Sequence, residues 1–140
     1  TGLYFFRRII YNMIMGKYTL FIDTVSRPGV LLALKREGDI VAQDFYPGNR
    51  EQAETLLPSI KQLLADADLK LSNLERIEVV NHGGSFTSLR LGVVIANALG
   101  YALGVPVRGT TGQPFLASGY QIVVPEYISE PNITLRDKTC

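Results

Sequence analysis

Residues 81–104 constrain the fold of this chain more than any other stretch. A β-rich run at residues 77–80 leads into Gly83 and Gly84, and a long apolar segment follows. This order predicts a strand, a glycine turn and a helix. Ser85 or Thr87 should be the N-cap residue, because a hydroxyl oxygen there can accept a hydrogen bond from the first helical turn.

The predicted helix has apolar side chains on almost every side, so we expect it to be buried on more than one side. A row of small residues also recurs along it at intervals of four. Glycine inside a helix costs about 1 kcal/mol relative to alanine, so such a row indicates a surface that another backbone approaches closely. That backbone could belong to the same domain, including its sheet, or to a partner subunit. The small residues are Gly92, Ala96, Gly100 and Gly104.

Length and composition favour one ordered domain. A chain of 140 residues can bury roughly two-thirds of its unfolded surface. With 46% hydrophobic and 19% charged residues it does not have the composition of a disordered protein. The net charge of +1 gives no global attraction to nucleic acid. No apolar run reaches the length of a membrane span, so we expect no membrane partner.

Cysteine and histidine are too few for a metal centre or an internal disulfide. Cys140 is the one cysteine and His82 the one histidine. We therefore expect no metal and no cofactor, and a single cysteine is consistent with a reducing cytoplasm.

The first part of the domain reads as three strands joined by tight turns, at residues 17–23, 30–35 and 40–45. Gly38, in the turn between the second and third strands, can supply the positive φ that a hairpin needs. Residues 49–67 follow as a helix. Asn49 is its predicted N-cap, and the Gln52 side chain can accept the Asn49 backbone N–H in a capping box. Pro58 should kink or divide that helix.

The second part alternates helix and strand. Ser72 and Glu75 form a second, small capping box ahead of the strand at residues 77–80. The long helix comes next, then a short strand at residues 105–109. This order fits an α/β fold: a single ribonuclease-H-like lobe of the actin/sugar-kinase superfamily, with a mixed five-stranded sheet. Composition alone would also allow other α/β folds.

Both ends of the chain look different from the domain. Residues 1–14 are aromatic and basic and are interpreted as an N-terminal extension without assigned structure. The domain then runs over residues 15–124, with residues 110–119 as a loop or short helix and residues 120–124 as a possible strand. Residues 125–140 lack periodicity and predict an extended tail.

Two segments resemble the bacterial TsaB (YeaZ) family. Residues 84–92, GSFTSLRLG, are similar to its Gly-Pro-Gly-Ser-Phe-Thr-Gly-Leu-Arg-Ile-Gly segment. Gly83 stands where the family usually has proline, and Ser88 where it has glycine. Residues 127–134, YISEPNIT, resemble its Tyr-Leu-Arg-x-Pro-x-Ile-Thr ending. The family normally carries a second domain between these two parts, and here that domain is almost wholly missing.

The resemblance implies a non-catalytic subunit that dimerises with a TsaD-like protein. TsaD transfers the threonylcarbamoyl group to adenosine in tRNA, and the two proteins pack helices into a bundle. A TsaE-like ATPase is a further possible partner, and family members also form homodimers. Contact with tRNA would occur only through the complex.

Ten residues are candidates for the partner interface on this basis. Large apolar side chains of the first helix would pack against the partner, and the small residues of the second helix would let the partner's backbone come close. Some of the leucines must instead pack on the sheet, and the sequence does not divide them. The candidates are Leu56, Leu57, Ile60, Leu63, Leu64, Arg90, Gly92, Val93, Ala96 and Gly100.

The sequence gives less support to three other functions. A stand-alone nucleotide-binding domain of the superfamily would use Asp23 and Thr24, but Pro28 removes an N–H donor from that loop, so the site is interpreted as vestigial. A Ser85 nucleophile has no orienting acid visible in the sequence, and a helix cap explains it better. A metallopeptidase would need metal ligands that His82 alone cannot supply.

Overall fold

The computed structural model describes residues 2–7, 18–47, 52–112, 115–117 and 120–126 of the chain. Its centre is a five-stranded mixed sheet with the order β3-β2-β1-β4-β5, which confirms the predicted fold class. The elements are β1 (Tyr18–Asp23), β2 (Gly29–Arg36), β3 (Asp39–Pro47), α1 (Gln52–Asp66), β4 (Leu74–Val79), α2 (Phe86–Leu103), β5 (Val107–Gly109), β6 (Phe115–Ala117) and β7 (Tyr120–Ile122).

The first three strands form the predicted antiparallel meander. β1 pairs with β2 and β2 with β3, while β4 and β5 add in parallel on the other side of β1. The β2–β3 turn has positive φ at both Glu37 (54°) and Gly38 (87°). Two positive φ values define the turn geometry that matches the natural twist of a hairpin.

Both helices pack on one face of the sheet. The connections β3-α1-β4 and β4-α2-β5 cross the sheet in the same direction, so the right-handed crossover rule places both helices on the same side. α1 contacts β2 and β3, whereas α2 contacts β1, β4 and β5. One apolar core results, and its fully buried members include Leu20, Ile22, Leu32, Leu34, Leu56, Ile60, Leu64, Ile77, Val79 and Leu89.

Two predictions concern the first helical region. α1 is continuous across Pro58, so the proline does not divide it, and the kink stays a prediction. The predicted capping box of Ser72 and Glu75 is wrong. The single turn there, Leu71–Asn73, is closed by Asn73, whose Oδ1 accepts the Lys70 N–H at 2.8 Å. The predicted Asn49 cap lies outside the described residues.

α2 begins and ends at the residues that the sequence indicates. Ser85 is the N-cap, and its Oγ accepts a hydrogen bond from Ser88 N at 3.1 Å. Gly104 closes the other end with φ 68°, the left-handed conformation that glycine adopts without steric cost. The helix therefore has fixed limits, and its 18 residues form one uninterrupted surface.

Replacing Ser85 with alanine should lower the free energy of unfolding by about 1 kcal/mol, because Ser88 N then loses its acceptor. Urea denaturation followed by circular dichroism measures the change. Ser72→Ala is the matched control, because that exposed serine has no side-chain hydrogen bond within the described structure. Equal stability of the two variants would contradict the capping role.

α2 is long and apolar enough, by length and composition, to cross a membrane, with a mean hydropathy of 1.4 over its 18 residues. This corrects the expectation that no apolar run reaches that length. The helix nevertheless packs along the sheet, with Leu89, Gly92, Val93, Ala96, Leu99 and Gly100 buried. Its apolar character on that side is therefore explained by packing within the domain.

The chain ends are only partly described. Residues 2–7 are helical, where no structure had been assigned. β6 and β7 form an antiparallel pair; the expected strand at residues 120–124 is observed as β7, and β6 was missed. Glu126 forms an isolated bridge with His82. The remainder of the predicted tail, residues 127–140, lies outside the described residues.

Candidate partner-binding surface

The small residues of α2 face the sheet of the same chain. A Cβ added to Gly92 would lie 2.6 Å from Thr24 Oγ1, and one added to Gly100 would overlap Val107 Cγ2. Ala96, between them, is fully buried. The groups that approach this row are therefore Thr24, just after β1, Val107 in β5 and the Val105 carbonyl, all of the same chain.

Most of the predicted interface is in fact internal. Of the ten candidates, the residues Leu56, Ile60, Leu63, Leu64, Gly92, Val93, Ala96 and Gly100 are buried. The prediction that a partner packs on these residues is corrected, because the domain's own core already occupies them. Leu57 is half-buried and Arg90 is exposed, so only these two remain available.

The opposite side of α2 is exposed and largely apolar. Val94 is 59% exposed and Tyr101 66% exposed, at positions where a core helix would normally carry polar residues. Both lie on one side of the helix because they are seven residues apart, which is close to two turns. We define the outer stripe as the exposed residues Thr87, Arg90, Val94, Ala98 and Tyr101.

Arg90 lies at the N-terminal end of the outer stripe. Its guanidinium carbon is 5.3 Å from the ring centroid of Phe86, which is itself 36% exposed. A guanidinium over an aromatic face at this distance is a cation–π contact. This contact keeps a positive charge on the surface beside the apolar residues.

Asp23 and Thr24 brace the loop that follows β1. Asp23 Oδ1 accepts hydrogen bonds from Val25 N and Ser26 N, both at 2.9 Å. Thr24 Oγ1 donates to Ser88 O at 2.6 Å and so ties this loop to α2. Their observed role is structural, and a nucleotide site here stays a prediction. Among the described residues, no group of three His, Cys, Asp or Glu side chains could hold a metal ion.

Asn81 is a buried polar centre that the sequence analysis missed. It is 2% exposed and follows the end of β4. Its Nδ2 donates to Thr111 O and Val124 O, both at 2.9 Å. Its Oδ1 accepts from Thr111 N at 2.9 Å, Thr111 Oγ1 at 3.1 Å and Thr110 Oγ1 at 3.3 Å. One side chain thus fixes the loop after β5 and the segment after β7.

Asn97 makes a second attachment for the same segment. Its Nδ2 donates to Val123 O at 2.9 Å, and its Oδ1 accepts from Val123 N at 2.8 Å. Asn97 lies in α2, so this pair anchors residues 122–124 beside the helix. The only signal in the sequence was a polar residue within an apolar helix, and it does not reveal a partner 26 residues away.

The sheet order, the two helices on one face and the exposed side of α2 define a ribonuclease-H-like lobe with an exposed helical surface. Residues 47–133 match the family profile described as TsaD, tRNA N6-adenosine threonylcarbamoyltransferase. Together with the relatives below, this match shows that the chain belongs to the TsaB (YeaZ) family, within the wider group that includes TsaD.

Relatives in two bacteria and one solved structure carry that conclusion. An uncharacterized protein of Mycobacterium tuberculosis is 39% identical over 92 residues, covering 64% of this chain and 43% of the relative. The Bacillus subtilis tRNA threonylcarbamoyladenosine biosynthesis protein TsaB is 30% identical over 99 residues, covering 71% and 43% respectively. YeaZ from Pseudomonas aeruginosa superposes with a TM-score of 0.61 at 29% identity, over 68% of this chain and 44% of that structure. The chain thus spans less than half the length of these proteins.

Proposed function

We propose that this chain is a non-catalytic subunit in the biosynthesis of threonylcarbamoyladenosine in tRNA, and that it dimerises with a TsaD-like protein through the outer stripe of α2. The observation that carries the proposal is the exposure of Val94 and Tyr101 on a helix whose other side is fully used by the core. The names of the relatives support the role in tRNA modification, and the exposed side of α2 supports the location of the partner-binding surface.

The outer stripe has the form of a helix-packing surface. Val94, Ala98 and Tyr101 follow each other at intervals of four and three, the spacing that keeps side chains on one side of a helix. Ala98 is small and lies between two larger side chains, so a facing helix could approach there. Contiguous exposed apolar residues of this kind are typical of protein interfaces.

The proposed non-catalytic role is supported by Ser85 and Asp23, two potentially reactive residues whose side chains make structural hydrogen bonds. Ser85 Oγ accepts the N–H of Ser88 as a helix cap. One oxygen of Asp23 holds the loop after β1. Catalysis, in this proposal, belongs to the TsaD-like partner in the cytoplasm. A homodimer through the same stripe would compete with the heterodimer, and a TsaE-like ATPase stays a further prediction.

Val94→Arg should weaken binding of the TsaD-like protein of the same organism by about 100-fold. A charged side chain at the centre of an apolar helix interface is desolvated without a partner, and a central interface residue can contribute more than 2 kcal/mol. Isothermal titration calorimetry measures the affinity. Size-exclusion chromatography with light scattering first establishes whether the wild-type proteins form a complex.

Val41→Arg is the matched control, because Val41 is similarly exposed, at 52%, but lies on the edge strand β3. It should bind the partner with wild-type affinity. Both variants should unfold within about 0.5 kcal/mol of wild type, because both positions are on the surface. Separate elution of the wild-type proteins at micromolar concentration, or equal losses in the two variants, would refute the proposed interface.

A further inference from the structure

The second face of the sheet carries no helix within the described part of the chain. Side chains on it alternate with those of the core, because successive residues of a strand point to opposite faces. The strand pairing places them in rows: Lys35 beside Thr19 and Arg76, and Ala33 beside Phe21, Glu78 and Arg108. We call this the open face, and its members are Thr19, Phe21, Asp23, Leu31, Ala33, Lys35, Gln43, Phe45, Arg76, Glu78 and Arg108.

The open face is positively charged although the chain is almost neutral. Three of its side chains are cationic, and Arg27 adjoins it through its contact with Phe45. Two carboxylates also lie on this face: Glu78, which pairs with Lys35 at 3.4 Å, and Asp23, whose Oδ1 accepts N–H groups of the following loop. The helix-covered side carries exposed charges of both signs, including Glu54, Asp66, Lys61 and Arg90. With Arg27, the four cations of the open face outnumber its two carboxylates.

Aromatic rings lie among these cations. The Lys35 ammonium is 4.5 Å from the ring centroid of Phe21, and the Arg27 guanidinium is 5.5 Å from that of Phe45. Phe45 is 37% exposed, so part of its ring remains accessible. Arg76 Nε is buried and has no hydrogen-bond partner in the described structure. Arg108 is exposed, and no ion pair among the described residues neutralises it.

We propose that the open face binds a single-stranded segment of RNA. Cations on a flat sheet can neutralise phosphates, and exposed aromatic rings can stack on unpaired bases, which is how sheet surfaces recognise single strands. Arg27 and Arg108, which are both exposed, supply the charge, and Phe45 supplies the stacking surface. This inference goes beyond the proposed function, which brings tRNA to the complex through the partner, because here the chain itself contacts RNA.

The test uses the full chain alone and a fluorescently labelled single-stranded RNA of about 12 nucleotides, a length within the usual range for such surfaces. Fluorescence anisotropy gives the dissociation constant at several salt concentrations. Arg27→Gln and Arg108→Gln together should weaken binding about tenfold. They should also lower the slope of log affinity against log salt by about 1.4, since each lost phosphate contact removes about 0.7.

Two further variants separate stacking and general charge effects. Phe45→Leu should weaken binding about tenfold, because loss of one base–aromatic stack has an effect of that order. Lys61→Gln removes a cation from the exposed side of α1 and should bind like wild type. Circular dichroism confirms that each variant is folded.

Three results would overturn the proposal: no binding at tens of micromolar protein, equal losses in Lys61→Gln and Arg108→Gln, or a preference for an RNA duplex over the single strand. A loss of TsaD-like partner affinity in Arg108→Gln without a loss of RNA affinity would identify the open face as a protein interface and would also overturn it. Val94→Arg should bind RNA with wild-type affinity, so the proposed RNA surface and the proposed partner surface can be refuted independently.

Discussion

Gly100→Leu is expected to lower the free energy of unfolding by about 3 kcal/mol, which is a large share of the stability of a domain this size. Even the Cβ of the new side chain would overlap Val107 Cγ2 and lie 3.1 Å from Val105 O. Val107 is buried in β5 and Val105 O is backbone, so neither can move away cheaply. The gain of about 0.8 kcal/mol in helix propensity offsets only part of this strain.

Urea denaturation of Gly100→Leu beside Ala98→Leu tests this expectation. Ala98 is exposed on the same helix, so the same side chain there should leave stability within about 0.5 kcal/mol of wild type. If Gly100→Leu were as stable as wild type and had lost only its partner, the small residues would face the partner and the packing described here would be wrong.

Asn81→Leu is expected to have a comparable effect for the opposite reason, loss of polar contacts. The wild-type side chain takes part in five hydrogen bonds to Thr110, Thr111 and Val124 while almost fully buried. Leucine fills a similar volume but leaves Thr111 N and two carbonyl oxygens without their partner. An unsatisfied buried group costs roughly 1–3 kcal/mol, so we expect a loss of about 3 kcal/mol or more.

Asn97→Ala provides a graded comparison. It removes only the two hydrogen bonds to Val123 and should cost about 2 kcal/mol. Hydrogen exchange followed by mass spectrometry should show faster exchange at residues 122–126 in both variants. Faster exchange at residues 110–112 should occur only in Asn81→Leu. Unchanged exchange at Thr111 in that variant would show that Asn81 does not hold the loop.

The fold could be predicted largely from local signals. Gly38 marks the hairpin, Ser85 marks the start of α2, and the order of strands and helices indicates the sheet topology. These features depend on neighbours in sequence, which is why periodicity and cap residues reveal them. The predicted box of Ser72 and Glu75 failed because Asn73 offered the Lys70 N–H a competing local acceptor.

The candidate site was harder to predict because the two sides of α2 carry similar apolar residues. The helical pattern indicated burial on more than one side of α2, but it did not say which side meets the sheet. Gly92 and Gly100 were ambiguous for the same reason, since close approach by the same domain or by a partner requires the same small residue. Val94 and Tyr101 could be recognised as surface residues only from the structure, which shows that the side of α2 with the glycines packs on the sheet.

The attachments at the end of β4 have a consequence for how such a domain can change its length. The chain leaves the sheet with Thr110 N bonded to Val79 O at 3.1 Å, and it returns with Glu126 N bonded to Asn81 O at 2.6 Å. The chain thus leaves and returns at positions only two residues apart, Val79 at the end of β4 and Asn81 just after it. Doubling the length of a closed excursion adds only about 0.6 kcal/mol of entropic cost. This position could therefore accept an inserted domain during evolution while the core sheet kept its own hydrogen bonds.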